Sequence, residues 1–323
     1  MFQLYNDEAG PKEMSILVTG CEGYIAPFVI QNILDETGFS VIGIDIKDQK
    51  LYFGERYTFI KCDIRDRKSV ENVFRSNKIE CVFHFAALIS VHLSFQETQE
   101  YHETNVIGTQ NIISAVRNFK CDRFVFASTC AVYDSTIESV KESSSINPLS
   151  PYACQKDACE NIIRSGMGDS SYIIFRFFNV AGRRGKMKSD PESKALIPSI
   201  IRSVRDEMRP IIFGNSYPTR DGTTIRDYIH PHDIARAFVC VLEDSSCWNN
   251  CYNLGSGNGS TTREVVETVI QCMKDNGEDV PEEIDYQPPR IETVSAYACC
   301  DKFNKKCGWE PAYSLRGIIN SML

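Results

Sequence analysis

The 323-residue sequence lacks three features that would each indicate a particular class of protein. It has no apolar run of 18 residues, which a transmembrane helix requires. It has no block of five or six lysines or arginines, and its formal net charge of −8 gives a nucleic-acid partner no support. The polar opening segment, Met1 to Glu13, matches neither a signal peptide nor a membrane span. We therefore expect a soluble, cytoplasmic protein that acts on a small molecule.

A CxxC pair is also missing, although the chain has fourteen cysteines. Paired cysteines at short spacing are typical of structural zinc sites, so the sequence predicts no metal. Several cysteines, including Cys81, Cys121 and Cys240, lie inside apolar stretches. We expect reduced thiols that are mostly structural.

What the sequence does contain is an alternation of apolar runs of strand length with segments of helical period. Strands are predicted at Ser15–Thr19, Val41–Asp45, Thr58–Cys62, Cys81–Phe85, Phe124–Ser128 and Tyr172–Phe177, and helices at Arg67–Ser76, Gln99–Asn118 and Ser150–Ser165. Several of these strands are too apolar to have a solvated face, which is typical of a parallel sheet covered on both sides by helices. The predicted fold class is α/β, with a Rossmann-like, doubly wound parallel sheet.

A glycine-containing turn directly follows the first predicted strand and opens a helix. It reads Gly20-Cys21-Glu22-Gly23-Tyr24-Ile25-Ala26. Glycines let the backbone approach a pyrophosphate, and a helix N-terminus supplies N–H groups, although two glycines alone also suit an ordinary turn. Asp45 ends the second strand, where a carboxylate accepts hydrogen bonds from the ribose of NAD and repels a 2′-phosphate. The pair of features favours NAD over NADP.

A tyrosine and a lysine stand four residues apart in the third predicted helix. Ser150 suits an N-cap and Pro151 a first helical position, so Tyr152 and Lys156 share one helix face. A phenol is a weak base at neutral pH, but a nearby ammonium stabilises the phenolate. Such pairs are common on helix surfaces. Thr129, at the carboxyl end of a predicted strand, adds a hydroxyl at the edge where doubly wound sheets bind ligands.

These residues resemble the extended short-chain dehydrogenase/reductase family. The resemblance spans about 300 residues and rests on Gly-x-x-Gly-Tyr-Ile, Asp45, Asp63-Ile64, His84-Phe85-Ala86-Ala87, Asn105-Val106-x-Gly108-Thr109, Ser128-Thr129, Val132-Tyr133, Tyr152-x-x-x-Lys156 and Arg176-Phe177-Phe178-Asn179. The segment Ile212–His230 is similar to the signature of the UDP-glucose 4-epimerases.

The resemblance implies an isomerase that interconverts UDP-glucose and UDP-galactose through a 4-keto intermediate. Thr129, Tyr152 and Lys156 are then the expected catalytic residues. NAD, the expected cofactor, is assigned to Gly20, Gly23, Tyr24, Ile25, Asp45, Asp63, Ile64, Phe85, Ala86, Ala87, Asn105, Thr129, Tyr152, Lys156 and Phe178. The UDP-sugar is assigned to Thr129, Tyr152, Asn179, Ile211, Ile212, Phe213, Arg226, Arg290 and Tyr297. Arginine suits the binding of a pyrophosphate because its planar guanidinium can donate two parallel hydrogen bonds to phosphate oxygens.

The resemblance also implies a domain division and an assembly. An NAD-binding domain is predicted at residues 14–178, to which 231–257 are also assigned, and a sugar-nucleotide lobe at 179–230 and 258–323. After Asn179 the sequence predicts a polar loop at 183–194, a helix near Leu196–Asp206, a strand near Ile211–Phe213 and a helix from Asp233. By analogy, two helices, Gln99–Asn118 and Ser150–Ser165, would pair in a homodimer.

Some positions depart from the family pattern. Ala26 replaces the third glycine and is followed by Pro27, Ile89 replaces a lysine that contacts the cofactor, Ala195 replaces an asparagine and Phe177 a tyrosine. These changes bear on affinity and sugar preference more than on fold. The bulky Tyr297 disfavours N-acetylhexosamine substrates, although plain core packing explains a tyrosine there as well.

Three other functions share the same fold. A 4,6-dehydratase needs an acid/base pair after the catalytic hydroxyl, but Thr129 is followed by Cys130 and Ala131. A UDP-glucuronate or UDP-N-acetylhexosamine enzyme would use the same Thr129, Tyr152 and Lys156. A catalytically silent sensor of sugar nucleotides or NAD is the remaining alternative, and retention of these three residues argues against it.

Overall fold

The computed structural model describes residues 14–134, 139–183, 195–281, 283–290 and 293–323. In these ranges the strands are β1 (Ser15–Thr19), β2 (Ser40–Asp45), β3 (Tyr57–Lys61), β4 (Ile79–His84), β5 (Arg123–Thr129), β6 (Ser139–Val140), β7 (Ser171–Phe177), β8 (Asn179–Val180), β9 (Ile211–Phe213), β10 (Ile225–Ile229), β11 (Asn250–Leu254), β12 (Gly259–Thr261), β13 (Asp285–Gln287) and β14 (Ser295–Ala298). The helices are α1 (Ala26–Glu36), α2 (Arg67–Ser76), α3 (Val91–Gln96), α4 (Thr98–His102), α5 (Gly108–Asn118), α6 (Pro151–Gly166), α7 (Leu196–Arg205), α8 (Pro231–Glu243), α9 (Thr262–Asp275), α10 (Asp301–Cys307) and α11 (Leu315–Asn320).

Seven strands form one parallel sheet in the order β11-β7-β5-β4-β1-β2-β3. The predicted doubly wound architecture is confirmed. β1 has its predicted bounds, and the other five predicted strands begin one or two residues earlier than expected. All five side chains of β1 are buried, since apolar clusters cover the sheet on both faces. Strand order reverses beside β1, and this is where such sheets bind ligands at their carboxyl edge.

The predicted helix at Gln99–Asn118 is interrupted. A π-helical turn at Glu103–Ile107 separates α4 from α5. Within this turn the Asn105 carbonyl accepts from the Thr109 hydroxyl at 2.5 Å and from the Cys159 thiol at 3.1 Å. The Gly108 amide bonds to the Glu103 carbonyl five residues earlier, which is the backbone hydrogen bond of a π-helical turn.

The C-terminal part of the chain forms smaller sheets and a separate core. β12, β10, β14 and β6 pair in that order, with β8 beside β10, and β13 pairs with β9. α7, α9 and α11 pack around an apolar cluster of their own. α8 packs on α1, and α10 contributes Phe303 to the core of the large sheet. The predicted loop at 183–194 lies almost entirely outside the described residues, and the division into two domains stays a prediction.

The cysteines depart from expectation at one pair. Cys247 and Cys307 form a disulfide, whereas reduced thiols were predicted. The two residues are 60 positions apart, and the fold brings the segment after α8 against the end of α10. The other twelve cysteines are free, and seven of them are buried. In the described part of the chain, no helix is both long and apolar enough to cross a membrane.

Candidate active site

The glycine turn after β1 is constrained by its surroundings. Gly20 has a φ of +69°, and its amide donates to the Ile44 carbonyl at 2.8 Å. A Cβ at this position would lie 2.7 Å from the Ala86 amide nitrogen, so glycine is required. α1 then begins without a side-chain cap on its N-terminal groups. Uncapped N–H groups and the positive end of the helix dipole suit a pyrophosphate.

Asp45 lies where β2 ends, next to this turn. Its carboxylate accepts from the Glu22 amide and from the Lys47 amide, each at 3.0 Å. These bonds fix the carboxylate at the mouth of a cavity of about 210 Å³. The cavity is lined by Gly20, Gly23, Ile44, Asp45, Ile46, Lys47, Cys62, Asp63, Ile64, Arg65, Phe85, Ala86, Ala87, Leu88, Glu100 and Thr104. Eight predicted cofactor residues are therefore brought together, and we call this the dinucleotide cavity.

Four other residues predicted to bind the cofactor, Tyr24, Ile25, Asn105 and Phe178, are not part of the lining of the dinucleotide cavity. Tyr24 donates from its hydroxyl to the Gly182 carbonyl at 2.5 Å, and Ile25 packs against the core of the large sheet. The Asn105 side chain accepts from the Leu88 amide at 2.8 Å and donates to the Leu88 carbonyl at 3.0 Å. Phe178 is buried in a small apolar cluster. In this structure Asn105 shapes the cavity by holding its backbone.

Arg65 was not predicted from the sequence, yet it completes one end of the dinucleotide cavity. Its guanidinium donates to Asp63 Oδ2 from Nε at 2.9 Å and from Nη2 at 2.7 Å, and Nε also donates to Oδ1 at 3.1 Å. These hydrogen bonds hold the pKa of Asp63 below its ordinary value. The sequence signal was an arginine two residues after a matched aspartate, a spacing too common in loops to stand out.

A buried histidine supports the loop after β4. The His84 ring lies 2.7 Å from the Thr19 hydroxyl and 3.0 Å from the Thr109 hydroxyl. Since the Thr109 hydroxyl donates to Asn105, it is free to accept from His84, which favours a neutral ring protonated on Nε2. Burial lowers the pKa of His84 to about 3, with the Lys156 charge acting in the same direction.

The predicted catalytic tyrosine lies at the start of α6. The Ser150 hydroxyl accepts from the Ala153 amide at 3.2 Å, and Pro151 occupies the first turn, as predicted. Tyr152 is 8% exposed, and burial raises its pKa above the ordinary value, while a hydrogen bond with Thr129 acts in the opposite direction. Phenol and hydroxyl are thus neighbours, as the sequence predicted.

Lys156 lies one turn further along the same face. Its ammonium donates to the Ala127 carbonyl at 2.8 Å and lies 4.6 Å from the centre of the Phe126 ring. Burial lowers the pKa of Lys156 to about 8, and the charge of Glu160 opposes this effect. The ammonium is held beside β5, the strand that ends at Thr129.

A second cavity, of about 500 Å³, lies in the C-terminal part of the chain. Its wall consists of Asn179, Leu196, Ser199, Ile200, Ser203, Pro210, Ile211, Phe213, Thr224, Arg226, Tyr228, Thr262 and Arg290. Five of these, namely Asn179, Ile211, Phe213, Arg226 and Arg290, were predicted to bind substrate. The Arg290 guanidinium stacks over the Phe213 ring, 3.3 Å from its centre. We call this the substrate cavity.

Two predicted substrate residues lie away from this wall. Ile212 is 1% exposed, because successive side chains of a strand point to opposite faces and its neighbours Ile211 and Phe213 face the cavity. Tyr297 lies in β14, and its ring covers Gly259, where an added Cβ would lie 2.9 Å from the ring. Tyr297 therefore packs against the backbone of β12 in this structure.

A buried aspartate orients the strand that carries Arg226. Asp227, 1% exposed, accepts from the Ser256, Gly257 and Ala298 amides at 2.7 to 3.0 Å. These bonds connect β10 to the loop after β11 and to β14. Sequence reasoning missed this role because the donors are far away along the chain.

One cluster of metal-ligating side chains occurs among the described residues. Asp244, Cys247 and Cys307 place one ligand atom each within 4.8 Å of one another. Two of these atoms are the sulfurs of the disulfide, so the group is engaged in a covalent bond. It lies outside both cavities.

Residues 16–255 match the family described as "NAD dependent epimerase/dehydratase family", and the chain belongs to this family. Curated relatives are UDP-glucose 4-epimerases. The "UDP-glucose 4-epimerase 3" of Oryza sativa subsp. japonica is 34% identical, over 94% of this chain and 87% of the rice protein. The enzyme of Halalkalibacterium halodurans is 35% identical, over 93% and 91%.

Solved structures agree. A crystal structure of a UDP-glucose 4-epimerase superposes with a TM-score of 0.87 at 31% identity, covering 95% of this chain and 96% of that one. The enzyme of Bifidobacterium longum, in complex with NAD⁺ and UDP, gives a TM-score of 0.84 at 27% identity, covering 96% and 97%. The resemblance inferred from the motifs, including dependence on NAD, is confirmed.

Proposed function

We propose that this protein catalyses the 4-epimerisation of a UDP-hexose with NAD as cofactor, interconverting UDP-glucose and UDP-galactose through a 4-keto sugar. Relatives that match this chain over 87% and 91% of their own length are named UDP-glucose 4-epimerases. The observation that carries the proposal is the position of the Tyr152 phenol and the Thr129 hydroxyl, which lie close enough for the hydroxyl to lower the pKa of the phenol, at the carboxyl end of β5 in the large sheet.

Residues of each cavity wall are linked to the segments that carry Tyr152 and Thr129. Asn105 bonds to Leu88 in the wall of the dinucleotide cavity, and it donates to Gln155 on the helix of Tyr152 at 3.3 Å. On the other side, Cys130 directly follows Thr129, and burial raises the pKa of its thiol while the charge of Arg226, a residue of the substrate cavity, acts in the opposite direction. A cofactor and a sugar nucleotide bound in the two cavities would approach each other at Tyr152.

The residues of the dinucleotide cavity fit NAD. The uncapped start of α1 suits the pyrophosphate and Asp45 the adenosine ribose, and a 2′-phosphate beside this carboxylate would be repelled. When bound, NAD supplies a hydride acceptor and donor for the C4 carbon of the sugar. Lys156, fixed by Ala127, would bind ribose hydroxyls and stabilise the Tyr152 phenolate.

The lining of the substrate cavity supports a role for its two arginines in binding the sugar nucleotide. Arg226 and Arg290 would hold the pyrophosphate, with Asn179 beside them. With NAD bound to accept the C4 hydride, Tyr152, assisted by Thr129, would take the proton from the 4-hydroxyl, and the loss of proton and hydride together would give the 4-keto sugar. This sugar turns about its pyrophosphate linkage, and the return of proton and hydride to the opposite face yields the epimer.

A coupled assay on purified protein tests the proposal. UDP-galactose, UDP-N-acetylgalactosamine and UDP-galacturonate are offered separately, and product is measured together with the absorbance of protein-bound NAD(H). We expect turnover of UDP-galactose. Turnover of UDP-galacturonate alone would favour the uronate alternative, and binding of all three without turnover would favour a sensor.

We further propose a homodimer that pairs through α6 and the segment from α4 to α5. These elements pack against each other, and the neighbouring α3 exposes Val91, Leu93 and Phe95. Exposed apolar side chains grouped in this way are typical of protein interfaces. Light scattering should give twice the chain mass, and Phe95→Asp should lower it. A single-chain mass at assay concentration would contradict the proposal.

A cytoplasmic location is proposed as well. Twelve of the fourteen cysteines are free thiols, which suits a reducing compartment. Fractionation of cells, followed by detection of the protein, tests this. Recovery in a secreted fraction would overturn it.

A further inference from the structure

A buried carboxylate lies on the catalytic helix and takes no part in the chemistry described above. Glu160 is 1% exposed and lies on α6, one turn after Lys156 and two turns after Tyr152. A charge buried this deeply costs free energy unless it is paired and hydrogen-bonded. The partners of Glu160 therefore indicate what its carboxylate is for.

Those partners lie on two adjacent strands of the large sheet. Ser128 on β5 donates from its hydroxyl to Glu160 Oε1 at 2.6 Å. Arg176 on β7 donates from Nε to Oε1 at 2.9 Å and from Nη2 to Oε2 at 2.6 Å. Ser128 and Arg176 are register partners in the sheet, so one carboxylate holds both strand ends. Such two-pronged arginine contacts are geometrically specific.

The position of Ser128 makes this contact relevant to catalysis. Ser128 precedes Thr129, whose hydroxyl lies near the Tyr152 phenol and lowers its pKa against the raising effect of burial. Tyr152 and Glu160 belong to the same helix. The hydrogen bond between Ser128 and Glu160 therefore connects α6, which carries Tyr152, to the end of β5, which carries Thr129.

Stability alone gives little reason for such a pair. Replacing a buried ion pair by well-packed apolar residues is often neutral or stabilising. A hydrogen bond depends on both distance and angle, so it fixes the relative position and orientation of two groups, which non-directional apolar packing does not. The exposed side of the network is closed by Arg164, which donates to Glu160 Oε2 at 2.9 Å.

We propose that Glu160 is a positioning residue for epimerisation, whose carboxylate holds α6 against β5 through Ser128 and Arg176, so that Tyr152 and Thr129 reach the same sugar hydroxyl. This inference rests on the proposed function. Glu160 itself touches neither cavity wall.

The charge of Glu160 has a second, separable effect. Burial lowers the pKa of Lys156 to about 8, and the negative charge of Glu160 opposes this. Without the Glu160 charge, the Lys156 ammonium should lose its proton at lower pH. The alkaline fall of activity would then move toward neutral pH.

Three variants separate these effects. Glu160→Gln keeps the shape and removes the charge, Ser128→Ala keeps the charge pair and removes the bond to β5, and Asp157→Asn is the control. Asp157 is a partly exposed carboxylate on the same helix that bonds only to Asn161 among the described residues. For each we would measure kcat, KM, bound NAD, the folded fraction and the pH profile of kcat.

The expected result differs for each variant. Glu160→Gln should lower kcat by at least about tenfold, since small misplacements of catalytic groups are costly, and should shift the alkaline limb of the profile to lower pH. Ser128→Ala should lower kcat by a smaller factor, with KM nearly unchanged and the alkaline limb unmoved. Asp157→Asn should behave like the wild type. Bound NAD should persist in all three.

Two results would overturn the positioning role. One is wild-type kcat and an unmoved pH profile in both Glu160→Gln and Ser128→Ala. The other is a loss of activity that matches the loss of folded protein in each variant. If Glu160→Gln does not fold, Ser128→Ala alone decides, and unchanged kcat refutes the role. An inactive wild type would instead contradict the proposed function, and the role of Glu160 would fall with it.

Discussion

The Lys156 ammonium is hydrogen-bonded to the Ala127 carbonyl at 2.8 Å, two residues before Thr129 on β5. A cation on α6 is therefore tied to the strand that carries the catalytic hydroxyl. The Tyr152 phenol, one turn earlier on the same helix, lies near Thr129, whose hydroxyl lowers its pKa against the raising effect of burial. The proposed division of labour between lysine, tyrosine and threonine leads to tests that can be made on single variants.

Tyr152→Phe should lower epimerase turnover by a factor of about 10² to 10⁴, because the variant lacks the proton acceptor. NAD should remain bound, since the dinucleotide cavity is unchanged. Turnover is measured in the coupled assay, and NAD by its release on denaturation. Tyr172→Phe, a partly buried tyrosine on β7, is the matched control. Full activity of Tyr152→Phe would refute the mechanism.

His84 should make the fold sensitive to acid. Its pKa falls from 6.5 to about 3 on folding because the ring is buried, so the unfolded chain binds the extra proton between these values. Stability should be fully present above pH 6.5 and decline as the pH falls toward 3. Each pKa unit corresponds to about 1.4 kcal/mol, so the total effect is several kcal/mol.

Urea unfolding at several pH values measures this dependence. His84→Gln should be less stable than the wild type at pH 7, because hydrogen bonds to Thr19 and Thr109 are lost, but its stability should fall less steeply below pH 6.5. His102→Gln, at an exposed position, should keep the wild-type slope. Equal slopes for all three proteins would show that His84 is not the group responsible.

Arg290→Ala should weaken the binding of UDP. A hydrogen bond to a charged group contributes about 1.5 to 3 kcal/mol, equivalent to roughly 10- to 100-fold in Kd. Arg290→Lys should recover only part of the loss, because lysine lacks the planar fork that stacks on Phe213. Calorimetric titration with UDP provides the measurement, with Arg67→Ala on the exposed face of α2 as control. Unchanged affinity in Arg290→Ala would remove this residue from the site.

Tyr297 lies outside the wall of the substrate cavity, and substrate comparison tests whether its ring nevertheless limits the sugars that are accepted. If its ring limits the space for an N-acetyl group, the wild type should turn over UDP-galactose at least about tenfold faster than UDP-N-acetylgalactosamine. Tyr297→Ala should reduce this preference, and Tyr52→Ala, at an exposed loop position, should not. Comparable wild-type rates on both substrates would refute the idea and leave Tyr297 as a packing residue on Gly259.

The sequence predicted the large sheet well because its signals are local. Each buried strand is a short apolar run, and the cap at Ser150 with Pro151 marks the start of α6 within its own turn. The prediction of a continuous helix at Gln99–Asn118 was wrong at Glu103–Ile107. The side chains of Cys159 and Thr109 donate to a carbonyl of the π-helical turn there, and the periodicity of the sequence does not reveal such contacts.

The sequence by itself determined the alternation of strands and helices, the glycine turn, the acid at the end of β2 and the spacing of Tyr152 and Lys156. All of these depend on neighbours within a few turns of the chain. Only the tertiary structure decided that Arg65 joins Asp63 in the cofactor cavity, that Ile212 faces away from the substrate cavity, and that Glu160 holds Ser128 and Arg176. Burial, strand face and hydrogen-bond partners arise when distant segments pack, so a one-dimensional pattern carries no direct record of them.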